Sequence, residues 1–186
     1  MNKLINELEK VYSHTNQWWK FAESKNGALI ALDSALIIGI LSLFKSFISI
    51  KILYYYFCWV ISFLIISLVI SSLSFIPILS KNNQDKVSFE EIDKKKNILF
   101  FSEIKNLTPD EYLDLLIKKI QVKNSKITKY AKDYAEQIIN NSKIADNKYR
   151  LFKWALYFFV TGILPFMILV FLGFRIYDKN EGDKNE

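Results

Sequence analysis

Residues 17–41 of the chain read QWWKFAESKNGALIALDSALIIGIL, and the sequence changes character at Gly27. Polar and aromatic residues precede Gly27, and an apolar run interrupted by Asp33 follows it. This run has about 18 residues, slightly fewer than the roughly 20 that a helix needs to cross a hydrocarbon core. A helix that begins upstream near Trp18, in the membrane interface that tryptophan favours, reaches the required length. We therefore predict that residues 27–44 form a transmembrane helix.

Two further apolar blocks, residues 52–79 and 154–174, are long enough to span a membrane unaided. Hydrophobic residues make up 51% of the chain and charged residues 24%, and almost none of the charge falls inside the three blocks. Buried core helices are the alternative explanation, but a chain of 186 residues has too little other surface to cover three of them. We predict an all-α membrane protein with three transmembrane helices and a cytoplasmic helical module, residues 81–153, between the second and third.

The distribution of lysine and arginine predicts the orientation of the chain. Of the 25 basic residues, 16 lie in residues 81–153, 4 in residues 1–26 and 3 in residues 175–186. Because cytoplasmic loops carry an excess of positive charge, we expect the amphipathic N-terminal segment 1–26 and the module 81–153 to be cytoplasmic. With three spans, the polar tail 175–186 is then outside, and we expect it to be disordered. No signal-peptide pattern precedes the first apolar run, so we expect no cleavage there.

The cytoplasmic module contains a clear helix start at Thr108. Thr108 is a suitable N-cap, Pro109 suits the first helical position, and Glu111 occupies the capping-box position. Apolar residues follow at helical spacing with charged residues on the opposite face, which predicts a strongly amphipathic helix. The apolar positions are Tyr112, Leu115, Leu116 and Ile120, and the charged positions are Asp114, Lys118 and Lys119.

A second helix of the module is predicted to begin near Ser125 and to continue into the third span. Residues 121–161 contain no proline or glycine, so nothing in this range breaks the helix. One face of the helix is rich in aromatic residues and needs a partner. The candidates are the helix that begins at Pro109, residues 98–104, or a second copy of the chain, and the last of these implies a homo-oligomer.

Asp33 is the one carboxylate inside the first predicted span, where an isolated charge is costly. The second span runs in the opposite direction, so we expect its serines near residue 79 to reach the depth of Asp33 and Ser34. These serines are Ser71, Ser72 and Ser74. In one interpretation Asp33 is a satisfied packing contact. In the other it lines a polar seam that becomes hydrated when the protein oligomerises or opens.

Enzymatic and metal chemistry have little support in the sequence. His14 is the single histidine and Cys58 the single cysteine, so one chain has neither a Cys/His metal site nor a Cys–His nucleophile pair. The cytoplasmic carboxylates are spread as surface charges of helices, without a paired catalytic set. Residues 81–153 contain no glycine, so any phosphate must be held by side chains or helix N-termini. We expect no enzyme, no metal and no nucleic-acid partner.

Three stretches resemble the Pycsar effector transmembrane family, whose members are bacterial membrane proteins paired with pyrimidine nucleotide cyclases in antiphage defence. Residues 18–32, WWKFAESKNGALIAL, are similar to the family's approach to its first membrane helix. Residues 97–113, NILFFSEIKNLTPDEYL, resemble its central segment, and residues 142–156, SKIADNKYRLFKWAL, resemble its approach to the last span. The matching positions are Trp18, Phe21, Ala22, Glu23, Lys25, Asn26, Phe100, Phe101, Ile104, Glu111, Tyr112, Ser142, Ile144, Lys148, Tyr149 and Ala155.

The resemblance implies an effector of the bacterial inner membrane that needs no cofactor. It implies that a partner cyclase supplies a cyclic nucleotide, cyclic UMP or cyclic CMP, as the activating ligand, and that the activated effector impairs the membrane and stops the infected cell. We predict a coupling cluster at the membrane surface and a ligand site in the module. The coupling residues are Glu23, Lys25 and Asn26, and the ligand-contacting residues are Phe101, Lys148 and Tyr149.

The composition of the module is compatible with an anionic ligand. Residues 81–153 carry 16 basic and 11 acidic side chains, an excess that attracts an anionic ligand or anionic lipid headgroups, although such a charge run is more often a solvated face. We expect the ligand to shift helix packing, and the shift to travel along the long helix to Gly162 and Pro165, where a bend is possible. The alternative function is a constitutive membrane scaffold or assembly subunit that recruits a partner through this helix.

Overall fold

The computed structural model describes residues 2–47, 51–76, 97–121 and 127–182. Every regular element in these ranges is a helix, which confirms the all-α prediction. The elements in chain order are α1 (Asn2–Phe47), α2 (Lys51–Leu73), α3 (Phe101–Ile104), α4 (Pro109–Ile120) and α5 (Lys129–Gly182).

The chain divides into two compact units. Unit 1 comprises Met1–Ser24 and Ile76–Arg150, and unit 2 comprises Lys25–Phe75 and Leu151–Glu186. Two helices contribute to both, because α1 passes from unit 1 to unit 2 after Ser24, and α5 does so after Arg150.

The core of unit 1 includes the N-terminal part of α1. Leu4, Leu8 and Val11 follow one another at spacings of four and three, so they form a single apolar stripe, and this stripe is buried in the core. The core also contains Ile98, Ile104, Leu107, Tyr112, Leu113, Leu115, Leu116, Ala131, Ala135, Ile138 and Ile139. The sequence predicts residues 1–26 and 81–153 as separate segments. In the structure, residues of both segments that belong to unit 1 pack around one core.

The partners of α5 in unit 1 agree with two of the three candidates. The helix that begins at Pro109 and residues 98–104 both contribute to this core. In it α5 buries Ala131, Ala135, Ile138 and Ile139, whereas Tyr130 of the predicted aromatic face is 55% exposed. The N-terminal part of α1 is a further partner that the sequence pattern did not single out. A second copy of the chain stays a prediction.

The start and the amphipathic pattern of α4 are confirmed. The Thr108 side-chain oxygen accepts a hydrogen bond from the Glu111 N–H at 3.3 Å, and the Glu111 carboxylate accepts one from the Thr108 N–H at 2.8 Å. These two bonds form a capping box. The predicted apolar positions Tyr112, Leu115 and Leu116 are buried and Ile120 is partly buried. The charged positions Asp114, Lys118 and Lys119 are exposed.

Helix α5 is continuous over 54 residues, as predicted. It begins at Lys129, after Thr128, whose hydroxyl oxygen accepts a hydrogen bond from the Ala131 N–H at 3.2 Å. The predicted start near Ser125 lies outside the described residues. At the other end, the predicted disordered tail 175–186 is helical as far as Gly182. Adding a residue to an existing helix costs far less than nucleating one, and glycine is a common helix terminator.

Helix α2 ends at Leu73, six residues before the predicted end of the second span. Pro77 gives the reason, because a helical proline lacks the N–H that would bond the carbonyl of Leu73 and its ring clashes with that carbonyl. The last turn closes tightly, with the Ser74 N–H donating to the Ser71 carbonyl at 3.1 Å. Residues 77–79 of the predicted span lie outside the described residues.

Unit 2 contains a small apolar core and one very close helix–helix contact. The core residues are Ile40 of α1 and Phe57, Val60 and Leu64 of α2, and Phe159 and Ile163 of α5 pack against them. A Cβ atom added to Gly162 would lie 2.9 Å from the Cβ of Phe63. Gly162 therefore lets α5 approach α2 closely, which is a packing role that the sequence-based prediction of a bend did not include.

Two helices, rather than the predicted three, are long and apolar enough to cross a membrane within the described residues. They are Lys3–Leu43 of α1 and Leu53–Leu73 of α2. Their apolar windows are only 22% and 28% buried, unlike the core helix of a soluble protein, which is mostly buried. The predicted third span, residues 154–174, lies in α5, and some of its side chains are outside the described set.

Candidate functional site

Three aromatic rings from three helices meet in unit 1, and we call Trp18, Phe101 and Tyr149 the aromatic cluster. The Phe101 and Tyr149 rings are stacked, with centroids 5.3 Å apart and planes 11° apart. The Trp18 ring lies 5.6 Å from Phe101 and 6.3 Å from Tyr149. The cluster therefore joins α1, α3 and α5 in unit 1, as offset and tilted aromatic pairs commonly do in protein cores.

Lys148 and Glu23 form an ion pair beside the aromatic cluster. The Lys148 Nζ lies 3.4 Å from a Glu23 carboxylate oxygen, and the lysine side chain is only 10% exposed. The same Nζ lies 5.9 Å from the centroid of the Trp19 ring, within the range of a cation–π contact. A buried ammonium needs such partners, because an uncompensated charge is costly to remove from water. The pair ties α1 to α5 within unit 1.

Two polar groups of the aromatic cluster are positioned as hydrogen-bond donors. The indole Nε1–H of Trp18 is buried and has no acceptor among the described residues. Burial raises the pKa of the Tyr149 phenol above its ordinary value, so this hydroxyl keeps its proton at neutral pH. The neighbouring Trp19 is already satisfied, since its Nε1–H donates to Asn16 Oδ1 at 3.1 Å.

The other two predicted coupling residues belong to unit 2. Lys25 places its Nζ 5.6 Å from the centroid of the Phe152 ring. Asn26 is fully buried, although the sequence placed it at the membrane surface. The structure therefore assigns Glu23 to unit 1 and Lys25 and Asn26 to unit 2.

Asp33 is fully buried in unit 2 and is partly satisfied by a serine of α2. Ser67 donates a hydrogen bond from its Oγ to Asp33 Oδ2 at 2.8 Å. The predicted partners were Ser71, Ser72 and Ser74, and the correction follows from the early end of α2. Asp33 lies six residues after Gly27, and Ser67 lies six residues before the helix end at Leu73. The prediction places the end of this helix at residue 79, six residues too far along the chain.

Sequence reasoning identified most of the residues that meet in unit 1. Glu23, Phe101, Lys148 and Tyr149 were predicted site residues, and the structure brings them together. Trp18 was part of the family pattern but was not predicted as a site residue. The feature that could have identified it is a tryptophan within an amphipathic segment. In the described ranges, no three His, Cys, Asp or Glu side chains lie close enough together to hold a metal ion.

Comparison with known protein families identifies the family of the chain. The family model of the Pycsar effector protein domain matches residues 7–175 of the chain. Neither a curated protein nor a solved structure matches the chain. The matched range contains α2, α3 and α4, most of α1 and α5, and every predicted site residue. The resemblance drawn from the three motifs is confirmed, and the chain belongs to the Pycsar effector protein domain family.

Proposed function

We propose that this protein is an antiphage effector that binds a cyclic pyrimidine nucleotide through unit 1 and uses unit 2 to impair the bacterial inner membrane. Membership of the family implies an antiphage defence effector and a cyclic nucleotide signal from a cyclase, and it suggests an effector rather than an enzyme. The proposal adds the ligand, cyclic UMP or cyclic CMP, its site, and the membrane step.

The observation that carries the proposal is the grouping of a cation, a carboxylate and packed aromatic rings in unit 1. A cyclic nucleotide has an anionic phosphate and a flat base, so it suits a lysine next to aromatic faces. Phe100 supplies an accessible face, because it is 42% exposed and its ring lies 4.8 Å from that of Phe101. The buried indole N–H of Trp18 is a suitable donor for a carbonyl oxygen of the base.

The proposed trigger is an exchange of anions at Lys148. In the structure Lys148 pairs with Glu23 of α1. The phosphate of the nucleotide replaces the Glu23 carboxylate, which separates this part of α1 from α5. Because α1 and α5 continue into unit 2 as unbroken helices, the change is transmitted to the helices that contact lipid.

The membrane step rests on the apolar surface of unit 2. Large apolar side chains on α1, α2 and α5 are exposed, and an aqueous environment would make such a surface prone to association. They include Ile38, Tyr55, Trp59, Val69, Leu164, Met167 and Phe171. We propose that lipid covers them, that residues 154–174 of α5 form a third crossing, and that residues 1–26 and 81–153 are cytoplasmic.

Ion leakage from liposomes that contain the purified protein, measured as the collapse of an imposed potassium diffusion potential, tests this function. The protein is titrated separately with cyclic UMP, cyclic CMP, cyclic AMP and cyclic GMP. We expect leakage with a pyrimidine nucleotide and none with the purine nucleotides. Folded, inserted protein that leaks with none of the four would overturn the proposal and favour the constitutive scaffold.

Variants of the ion pair make the trigger testable, because the exchange predicts opposite effects for its two members. Lys148→Met should abolish the response, since the phosphate loses its cation. Glu23→Gln should lower the nucleotide concentration for half-maximal leakage by about fivefold, the factor that about 1 kcal/mol gives. The matched control is Lys10→Met, which breaks the exposed Lys10–Glu7 pair of α1 and should leave the response to nucleotide unchanged. Equal losses of response in Lys148→Met and Glu23→Gln would contradict the exchange.

A further inference from the structure

The buried positions of α1 and α2 in unit 2 define one continuous seam between the helices. On α2 these positions recur at alternating spacings of three and four, and those of α1 fall in the same register, which is the pattern of two helices packed along their length. The buried residues are Asn26, Leu29, Asp33 and Ile40 on α1, Phe57, Val60, Leu64, Ser67 and Ser71 on α2, and Ser74 in the turn that follows α2. We call this set the α1–α2 seam.

The α1–α2 seam is polar in one half and apolar in the other. The polar half contains Asp33, Ser67 and Ser71, all fully buried, together with Asn26 and Ser74. The apolar half is the core of Ile40, Phe57, Val60 and Leu64. In a purely structural membrane interface, small and apolar residues would give the same close packing without burying a carboxylate.

Two buried atoms of the polar half are available for further interactions. Asp33 uses one carboxylate oxygen to accept from Ser67, and its other oxygen, Oδ1, has no partner among the described residues. The Ser71 hydroxyl, one helical turn beyond Ser67, also has none in the described ranges. By contrast, Ser34 and Ser72 off the seam donate to carbonyls of their own helices. Buried polar atoms without partners are rare, so this half of the seam is suited to accept water or a cation.

We propose that the α1–α2 seam is a gated pathway for monovalent cations, in which the Asp33 carboxylate attracts the cation and the apolar core closes the path. The cation is coordinated by oxygens of Asp33, Ser67 and Ser71, the hard ligands that such ions prefer. Ile40, Phe57, Val60 and Leu64 form a dry constriction that blocks conduction until the helices separate. The proposal rests on the proposed function and specifies it, because the membrane is impaired by selective cation flow rather than by general rupture.

Ion selectivity separates this inference from the proposed function. The reversal potential of nucleotide-activated protein in a planar bilayer is measured under a potassium chloride gradient. Wild-type protein should prefer potassium to chloride, and Asp33→Asn should lose the preference while Asp33→Glu keeps it. If the wild type conducts but Asp33→Asn remains equally cation-selective, the pathway is wrong and the effector function stands. If the wild type does not conduct with any nucleotide, both fail.

The apolar constriction is tested by a matched pair of substitutions on α2. Leu64 is fully buried in the seam, and its neighbour Ile65, about 100° further around the helix, is 47% exposed. Leu64→Asn should wet the constriction and give potassium conductance without nucleotide, whereas Ile65→Asn should not. Constitutive conductance from Ile65→Asn alone, or from both variants equally, would overturn the gate.

Thiol accessibility gives a readout that leaves Asp33 and the constriction unchanged. Cys58→Ala removes the single cysteine, and Ser71→Cys then places one thiol in the polar half of the seam. A charged methanethiosulfonate reagent reacts with the thiolate, which requires water. Ser71→Cys should become reactive when nucleotide is added. The control Ser62→Cys lies on the exposed face of α2, which the proposed function places against lipid, so it should stay unreactive. Conductance without labelling of Ser71→Cys would contradict a pathway through the seam.

Discussion

At the scale of single residues, Lys148 is stabilised by its neighbours in unit 1. Its side chain is 10% exposed, so the ammonium has lost most of its water and depends on the Glu23 carboxylate 3.4 Å away and on the Trp19 ring. Glu23 is more exposed, at 31%, and tolerates the loss of its partner better. The pair is therefore asymmetric, because leaving the buried lysine without its partner costs more free energy than leaving the glutamate without its partner.

A double-mutant cycle on Lys148 and Glu23 measures this pair. Glu23→Gln should lower the free energy of unfolding of unit 1 by about 1–3 kcal/mol, because it leaves a buried ammonium with a weaker partner. Lys148→Met should cost less, and the double variant should be less destabilised than the sum of the two. Denaturant unfolding of the protein in detergent checks this. A coupling energy of zero would show that the two side chains do not interact.

At the scale of elements, the closest contact in unit 2 depends on a glycine. A Cβ at Gly162 would meet the Cβ of Phe63 at 2.9 Å, an approach that real Cβ atoms essentially never make. Because Phe63 Cβ is next to the backbone of α2, neither helix can yield by rotating a flexible side chain. The contact therefore fixes the spacing of α2 and α5.

Gly162→Ala should destabilise unit 2 by about 1–3 kcal/mol, the usual cost of overpacking. Gly39→Ala is the matched control, because a Cβ at Gly39 meets nothing within 4 Å. It should stabilise α1 by about 1 kcal/mol through helix propensity. Thermal unfolding in detergent compares the two variants. A stabilised Gly162→Ala protein would show that the two helices are not in close contact.

The backbone is strained at the end of α4, and a glycine substitution there would relieve the strain. Gln121 follows the helix with φ 53° and ψ 40°, the left-handed conformation that side chains with a Cβ disfavour. Gln121→Gly should stabilise α4 by about 1 kcal/mol, whereas Lys118→Gly, at an exposed helical position in the last turn of the same helix, should destabilise it. Hydrogen exchange of the α4 amides measures both. Destabilisation by both substitutions would contradict the strained conformation.

At the scale of the whole molecule, the N-terminal residues are structural members of unit 1. Leu8 is fully buried in its core. Leu8→Ala should therefore lower the free energy of unfolding of unit 1 by about 2–5 kcal/mol. The same change at Ile38, which is 66% exposed in unit 2, should have an effect within about 0.5 kcal/mol.

Hydrogen exchange of the α4 and α5 amides of unit 1 distinguishes the two substitutions. Leu8→Ala should speed exchange throughout these helices, because they share a core with Leu8. Unchanged protection in Leu8→Ala would mean that the N-terminal residues do not belong to this core. They would then be a separate segment, as the sequence alone suggested.

The sequence by itself determined several of the helices of this protein and its family. Apolar length predicted the membrane-length helices in α1 and α2, the capping box at Thr108 and Glu111 predicted where α4 begins, and three motifs identified the family, because these signals are local along the chain. Tertiary structure alone decided which elements share a core, which serine meets Asp33, and that Glu23 pairs with Lys148. Such contacts depend on how far each helix extends and how it is rotated against its neighbour. A shift of a few residues in one helix end, as at Leu73, changes the partner.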